Sequence, residues 1–271
     1  MRIATSTNLI SFNRDGSKTE MVHLLGLYAK EGFRVLDLNL CEMLNPNGSL
    51  AGSGWKQYVG RLKDLKGQLA LTFNQAHAPY SNDGHILEEL LLRSLEVCHN
   101  LGIPILVVHP TKGGVEQNLQ AYERYVHEAE EKNIILAFEN LNADDEMTEV
   151  TELIEMTEAF GSPSVGICYD TGHAHQRGHD LAQDIHLMGR YLVATHIADN
   201  KGKEDEHLLP FYGTIDWDAV IRALTEIKYN GDLTFECMFF NQHLPLDLKL
   251  QALRQARVVG EYLLSSTTFF K

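Results

Sequence analysis

Basic residues are in short supply: 23 Lys and Arg stand against 37 Asp and Glu over 271 residues, a formal net charge of −14. Phosphate binding relies on basic surface, so this balance opposes a nucleic-acid partner, short of a local basic groove. Cysteine is sparse as well. Cys41, Cys98, Cys168 and Cys237 are scattered without close pairs, which points to free thiols in a reducing compartment rather than disulfides. No apolar run is long enough to span a bilayer, so no membrane partner is expected. The chain starts Met1-Arg2-Ile3-Ala4-Thr5-Ser6 with no long apolar region or cleavage-type site, and a cytoplasmic protein is the expectation. Glycine is missing from Thr5–Asn13, where an open doubly wound sheet normally carries a glycine-rich phosphate turn.

What is present is an ordinary globular composition, 44% hydrophobic and 22% charged, able to bury a core. Short apolar or alternating runs alternate with longer helical patterns to the end of the chain, the βα grammar of a parallel sheet. Strands are expected at Arg2–Thr7, Phe33–Leu40, Leu69–Ala76, Pro104–Val108, Ile134–Phe138, Val165–Tyr169, Tyr191–Thr195 and Asp232–Phe235. Helices are expected near Lys18–Glu31, Trp55–Leu65, Asp83–Leu101, around Leu119–Ala129, then Thr148–Phe160, Leu181–Arg190, Trp217–Ile227 and Leu246–Leu264, with Gly32 and Gly102 ending the first and third. Eight βα units in this length predict a (β/α)8 TIM barrel as one domain over residues 1–271.

Position carries the functional signal. His77, His109, Glu139, Asp170, His196 and Glu236 each fall at the end of an expected strand, and in a barrel those ends converge on one mouth. His173 follows Asp170 by three residues, while Asp205 and His207 lie in the loop after the seventh strand. One such residue alone reads as a loop side chain, a cap or a solvated charge. Together, buried carboxylates at one mouth need a compensating cation, and Glu/Asp mixed with His suits a divalent ion of the Zn2+ or Mn2+ type. Gly172 reads as the turn between Asp170 and His173. Cys168 shares the parity of Asp170 and reads as packing, and strand alternation turns Cys237 away from the face of Glu236. His175 and His179 read as exposed or supporting residues, and Asp144-Asp145-Glu146 as a solvated helix entry that could touch substrate.

With these residues in place, the chain resembles the xylose isomerase-like barrel superfamily, which holds sugar and sugar phosphate isomerases and epimerases together with the apurinic-site endonuclease IV enzymes. The motifs are His77-Ala-Pro-Tyr80, Val-Val-His109-Pro, Phe-Glu139-Asn140, Cys-Tyr-Asp170-Thr-Gly-His173-Ala, Thr-His196-Ile-Ala-Asp199-Asn200, Asp205-Glu-His207, Gly213-Thr-Ile-Asp-Trp217 and Phe-Glu236. In the isomerase branch the resemblance implies one divalent metal (Mn2+ or Zn2+, with Co2+ or Mg2+ as further candidates) on Glu139, Asp170, His196 and Glu236, with His173 on a substrate oxygen. In the endonuclease branch His77, His109, Glu139, Asp170, His173, His196, Asp205, His207 and Glu236 would bind three zinc ions. A short mixed-charge loop, Lys201-Gly-Lys-Glu-Asp205, and the net charge favour the sugar branch.

The expected reaction is isomerisation or epimerisation of a small carbohydrate, phosphorylated or not. Glu139 and Glu236 would remove and return a proton beside a carbonyl through an ene-diolate. Abasic-DNA hydrolysis at a trinuclear zinc site, or lyase or dehydratase chemistry on the same scaffold, are the alternatives. Phe211-Tyr212 replaces the glycine-rich segment of the sugar branch, where the two aromatics would narrow the pocket or stack on a sugar or aglycone. Arg14, Lys112, Arg177, Lys201 and Lys203 sit in loops at the mouth end, within reach of an anion. A homo-oligomer is compatible with all of this.

Overall fold

Eight parallel strands alternate with helices. The computed structural model describes residues 1–45, 48–81, 84–142, 147–238 and 241–266. The strands are β1 (Ile3–Ser6), β2 (Val35–Asn39), β3 (Thr72–His77), β4 (Ile105–Val108), β5 (Ile135–Glu139), β6 (Val165–Asp170), β7 (Leu192–His196) and β8 (Leu233–Phe235). The helices are α1 (Met21–Lys30), α2 (Trp55–Gln68), α3 (Gly84–Leu101), α4 (Gly114–Lys132), α5 (Val150–Phe160), α6 (Thr171–Gln176), α7 (Leu181–Met188), α8 (Trp217–Glu226) and α9 (Leu246–Ser266). Hydrogen-bonded neighbours run β7-β6-β5-β4-β3-β2-β1-β8. The circle closes just past β7, where Ile197 N–H donates to Thr234 O at 2.7 Å and Glu236 N–H donates to Ile197 O at 3.1 Å. This is the TIM barrel expected from the element order.

Side-chain alternation divides the interior into layers. Val107, Ala137, Cys168 and Ala194 form a small buried cluster inside the barrel. These small residues plug the channel and leave the bulky aliphatic and aromatic side chains to the larger cluster between strands and helices. Two residues further along each of the same four strands stand His109, Glu139, Asp170 and His196. The ligand-type side chains are therefore the next inward layer above an apolar plug.

The boundaries depart from the expected ones in three informative places. The third strand begins at Thr72 rather than Leu69, because α2 runs to Gln68 and Leu69 caps it, with Ala70 turned to φ 51°. Glu139, Asp170, His77 and His196 are the last residues of their strands rather than the first beyond them. Gly172 is not a turn: Asp170 caps the short α6 by accepting from His173 N–H at 2.8 Å, so Gly172 and His173 are helical. The glycine fits a tight place, since a Cβ there would stand 3.2 Å from Asp170 Oδ1 and 3.3 Å from Ala198 Cβ. The acidic run Asp144-Asp145-Glu146 lies outside the described residues.

Candidate functional site

All nine side chains singled out by the sequence meet at the C-terminal mouth of the barrel; among the described residues five overlapping sets could each hold a metal ion, and three of these sets together take in all nine. Glu139, Asp170, His196 and Glu236 form the central one, their ligand atoms within 4.8 Å of one another. His77 and His109 join Glu139 in a second; His173, Asp205 and His207 make the third. Glu139 bridges the first two. Its Oε1 lies 2.6 Å from His196 Nδ1, and its Oε2 lies 3.0 Å from His77 Nε2 and 3.2 Å from His109 Nε2. Glu236 Oε2 approaches His196 Nδ1 at 3.3 Å from another side.

The imidazoles are aimed by their far nitrogens. Backbone carbonyls accept from Nδ1 of His77 (Ala78 O, 3.0 Å), His173 (Asn140 O, 2.8 Å) and His207 (Glu236 O, 2.6 Å), turning Nε2 toward the carboxylates in each case. Asp205 Oδ2 lies 2.9 Å from His207 Nε2 and 3.4 Å from His173 Nε2. The loop carrying them hangs on Asp199. Its carboxylate accepts from Ile215 and Phe211 N–H, at 3.2 and 3.0 Å, and from the Trp217 indole N–H at 2.9 Å. A Cβ at Gly213 would stand 2.2 Å from Asp199 Oδ1, so the Gly213-Thr-Ile-Asp-Trp217 segment is a packing device for the loop.

Burial pushes the Asp170 carboxyl up to about 6, with Glu139 and Asp205 adding to the shift against His173 and His207. Asp170 Oδ2 is buried with no hydrogen-bond partner. Burial would lower the His207 imidazolium, yet Asp205 and Glu236 lift it to about 9. Three enclosed carboxylates around one imidazole, one with an orphaned oxygen, have the donor types a divalent cation takes, and such a cation would relieve their repulsion. The residues fit a metal.

The cavity above them measures about 470 Å³ and is lined by Asn8, Phe12, Asn39 and Glu42 together with His77, His109, Glu139, His173, Asp205, His207 and Glu236. A larger, mostly apolar cavity of about 680 Å³ adjoins it at Cys41, His77 and His109. Phe211 and Tyr212 line neither cavity. They are about half exposed, and the Phe211 ring packs edge-on against Tyr262 at 5.7 Å, so they neither narrow the site nor form its stacking face. None of Arg14, Lys112, Arg177, Lys201 and Lys203 lines the 470 Å³ cavity; Lys201 pairs with Glu206 at 3.0 Å. Cys168 is buried in the apolar plug, its thiol pushed up by burial to about 12, and its Sγ also lies within 4.8 Å of ligand atoms of Glu139 and His196. Cys237 is buried and donates to Ile197 O and Leu208 O. His175 and His179 bond elsewhere, to Thr214 Oγ1 and Asp184 Oδ2, each at 2.9 Å.

Three residues have contacts at the site that the sequence reading did not assign. Asn8 Nδ2–H donates to Glu236 Oε1 at 3.3 Å. Asn140 grips the backbone of Asp170 at both N–H and C=O. Asp37, fully buried on β2, faces His196. Only Asp37 carried a sequence signal, a charge inside the apolar run Val35-Leu36-Asp37-Leu38.

Fold and site together define a (β/α)8 barrel with a carboxylate- and histidine-rich mouth. The chain belongs to the xylose isomerase-like TIM barrel family, whose model matches residues 26–255. A D-tagatose 3-epimerase-like protein of known structure superposes with a TM-score of 0.76 at 20% identity, covering 100% of both chains. An uncharacterized protein, y4fM, of Sinorhizobium fredii is 32% identical over 160 residues, 55% of this chain and 51% of that protein. A probable endonuclease 4 of Halorhodospira halophila is 28% identical over 163 residues, 49% of this chain and 53% of that protein. The chain thus spans about half the length of these two relatives. Among the described residues, no helix is long and apolar enough to cross a membrane.

Proposed function

We propose that the protein is a divalent-metal-dependent isomerase or epimerase of a ketose, aldose or related polyol carbonyl compound. One observation carries the reading: Glu139 and Glu236, from non-adjacent strands β5 and β8, reach His196 Nδ1 from two sides beneath a cavity of sugar-accommodating size. The likeness to a D-tagatose 3-epimerase-like structure over the whole chain supports it. Glu139, Asp170, His196 and Glu236 would hold the cation, with Mn2+ or Zn2+ suiting their N and O donors. When bound, it supplies stabilisation for negative charge developing on adjacent carbonyl and hydroxyl oxygens.

The chain's own residues do the rest. One of Glu139 and Glu236 takes the proton from the carbon beside the carbonyl, and the other returns it, inverting the centre when delivery is to the opposite face. Asn8, donating to Glu236 Oε1, turns that carboxylate toward the mouth. His173 would meet a substrate oxygen. The test is to incubate the metal-loaded protein with a panel of ketoses in D2O. Deuterium is expected at the carbon next to the carbonyl, and E139Q and E236Q should each lower its incorporation by about 10²-fold or more without unfolding the barrel. Full exchange in both variants sinks the assignment.

A second reading has its own observation: the nine side chains divide into three adjoining sets, two of them sharing Glu139, that could each hold an ion. They fit a trinuclear zinc phosphodiesterase acting on abasic DNA, and the likeness to a probable endonuclease 4 supports it. Metal analysis showing three zinc ions per chain, with nicking of an abasic duplex and no deuterium exchange, would select this reading over the first.

A further inference from the structure

We propose that Asp37 is the positioning residue that presents His196 Nδ1 to the central metal group, an inference that rests on the metal-centre reading above. His196 is oriented oppositely to its neighbours. His77, His173 and His207 give Nδ1 to a backbone carbonyl and point Nε2 at carboxylates. His196 points Nδ1 at Glu139 and Glu236 and turns Nε2 down into the barrel. There it meets Asp37 Oδ2 at 3.3 Å.

Asp37 has no exposed surface, and neither its two oxygens nor His196 Nε2 has an aligned hydrogen bond to any group. Strand register explains the placement. Asn39 pairs with His77 in the ligand layer, so Asp37, which pairs with Gln75, lies one layer lower on the same inward parity. An enclosed carboxylate with no partner is costly, and His196 Nε2–H is the donor within reach. A hydrogen bond donated by Nε2–H to Asp37 would fix the tautomer: Nε2 keeps its hydrogen, and Nδ1 keeps its lone pair for the ion.

The experiment compares wild type, D37L and D37N. Co2+ affinity is measured by calorimetry, and the imidazole protonation of His196 is read from spectra of the Zn2+-loaded, 15N-histidine-labelled protein. Wild type should show Nδ1 bound and a downfield Nε2–H. D37L should lose that resonance and bind Co2+ about 10- to 100-fold more weakly. D37N keeps an oxygen acceptor and should fall between them; it decides alone if D37L does not fold. In an H196Q background, D37L should cost no further affinity, whereas a merely structural carboxylate would cost the same in both. Equal affinity and an unchanged His196 spectrum in the folded variants overturn the inference. No Co2+ binding by wild type overturns the metal reading beneath it, a different and recognisable result.

Discussion

Asn140 extends the sheet with a side chain. The β5–β6 ladder ends where Glu139 pairs with Cys168. One residue on, Asn140 Oδ1 accepts from Asp170 N–H at 2.7 Å while its Nδ2–H donates to Asp170 O at 2.9 Å. Its own carbonyl accepts from His173 Nδ1. One buried residue thus holds Asp170, through its side-chain amide, and one imidazole of the neighbouring group, through its backbone carbonyl, in fixed relation. Replacing it by Ala leaves a buried N–H and C=O of Asp170 without partners, at about 1–3 kcal/mol each. N140A is therefore expected to lower unfolding free energy by roughly 2–4 kcal/mol in urea titrations, and to weaken divalent-ion binding. An unchanged midpoint would show that Asp170 finds other partners. The sequence names Asn140 only as the neighbour of Glu139. That it bonds the backbone of a strand-end residue thirty positions away is a tertiary fact, without any local periodicity to betray it.

The elements were far more legible than these contacts. Apolar runs between helical patterns located all eight strands because a sheet covered on its outer face by helices buries nearly every strand residue. The short α6 was not legible. Thr171–Gln176 has too few residues for a helical period, and Gly172 looks like a turn; the helix exists because Asp170 caps it and because Asn200 Nδ2–H donates to Gly172 O at 2.7 Å. The nine mouth residues were legible because strand ends converge in this fold, whereas Asp37 and Asn8 needed the inward parity of β2 and the course of the loop after β1. Helix-to-helix fastening is likewise invisible in sequence. Glu31, just past α1, receives two hydrogen bonds from Arg254 on α9, one of them 3.1 Å from NH2 to Oε1. The Arg254 guanidinium holds the Glu31 carboxyl below its ordinary value against the opposing effect of burial. A carboxyl whose folded value is lowered contributes stability above its unfolded value near 4.3, lost as pH falls through the folded value. E31Q is thus expected to lower the melting temperature at pH 7 and to shrink the difference from wild type as pH drops below about 4. A gap of constant size across that range would remove Arg254 from the explanation.

At the scale of the whole molecule, charge separates the two functional readings. A net charge of −14 surrounds a mouth lined by Glu42, Glu139, Asp205 and Glu236. Three divalent ions would add +6 there, which still leaves the chain negative. Duplex DNA brings about one charge per 1.7 Å of axis and gains affinity mainly by giving up counterions to Lys and Arg. Among the five basic loop residues toward this end, none lines the cavity. A neutral ketose meets no such barrier, because its recognition depends on hydroxyl and carbonyl contacts within the mouth. Two salt responses follow for the metal-loaded protein. Deuterium exchange into a neutral ketose should be nearly flat between about 50 and 200 mM salt, where screening acts on long-range fields and leaves short contacts intact. Binding of an abasic duplex should be weak at the lower salt and show little further loss on raising it, since few phosphates are neutralised. A nuclease making six to ten phosphate contacts would instead lose about 10³–10⁵ in affinity over that interval. A steep salt slope for the duplex, measured by fluorescence anisotropy, would mean that a basic DNA track exists which the cavity lining does not reveal, and would turn the assignment toward phosphodiester chemistry.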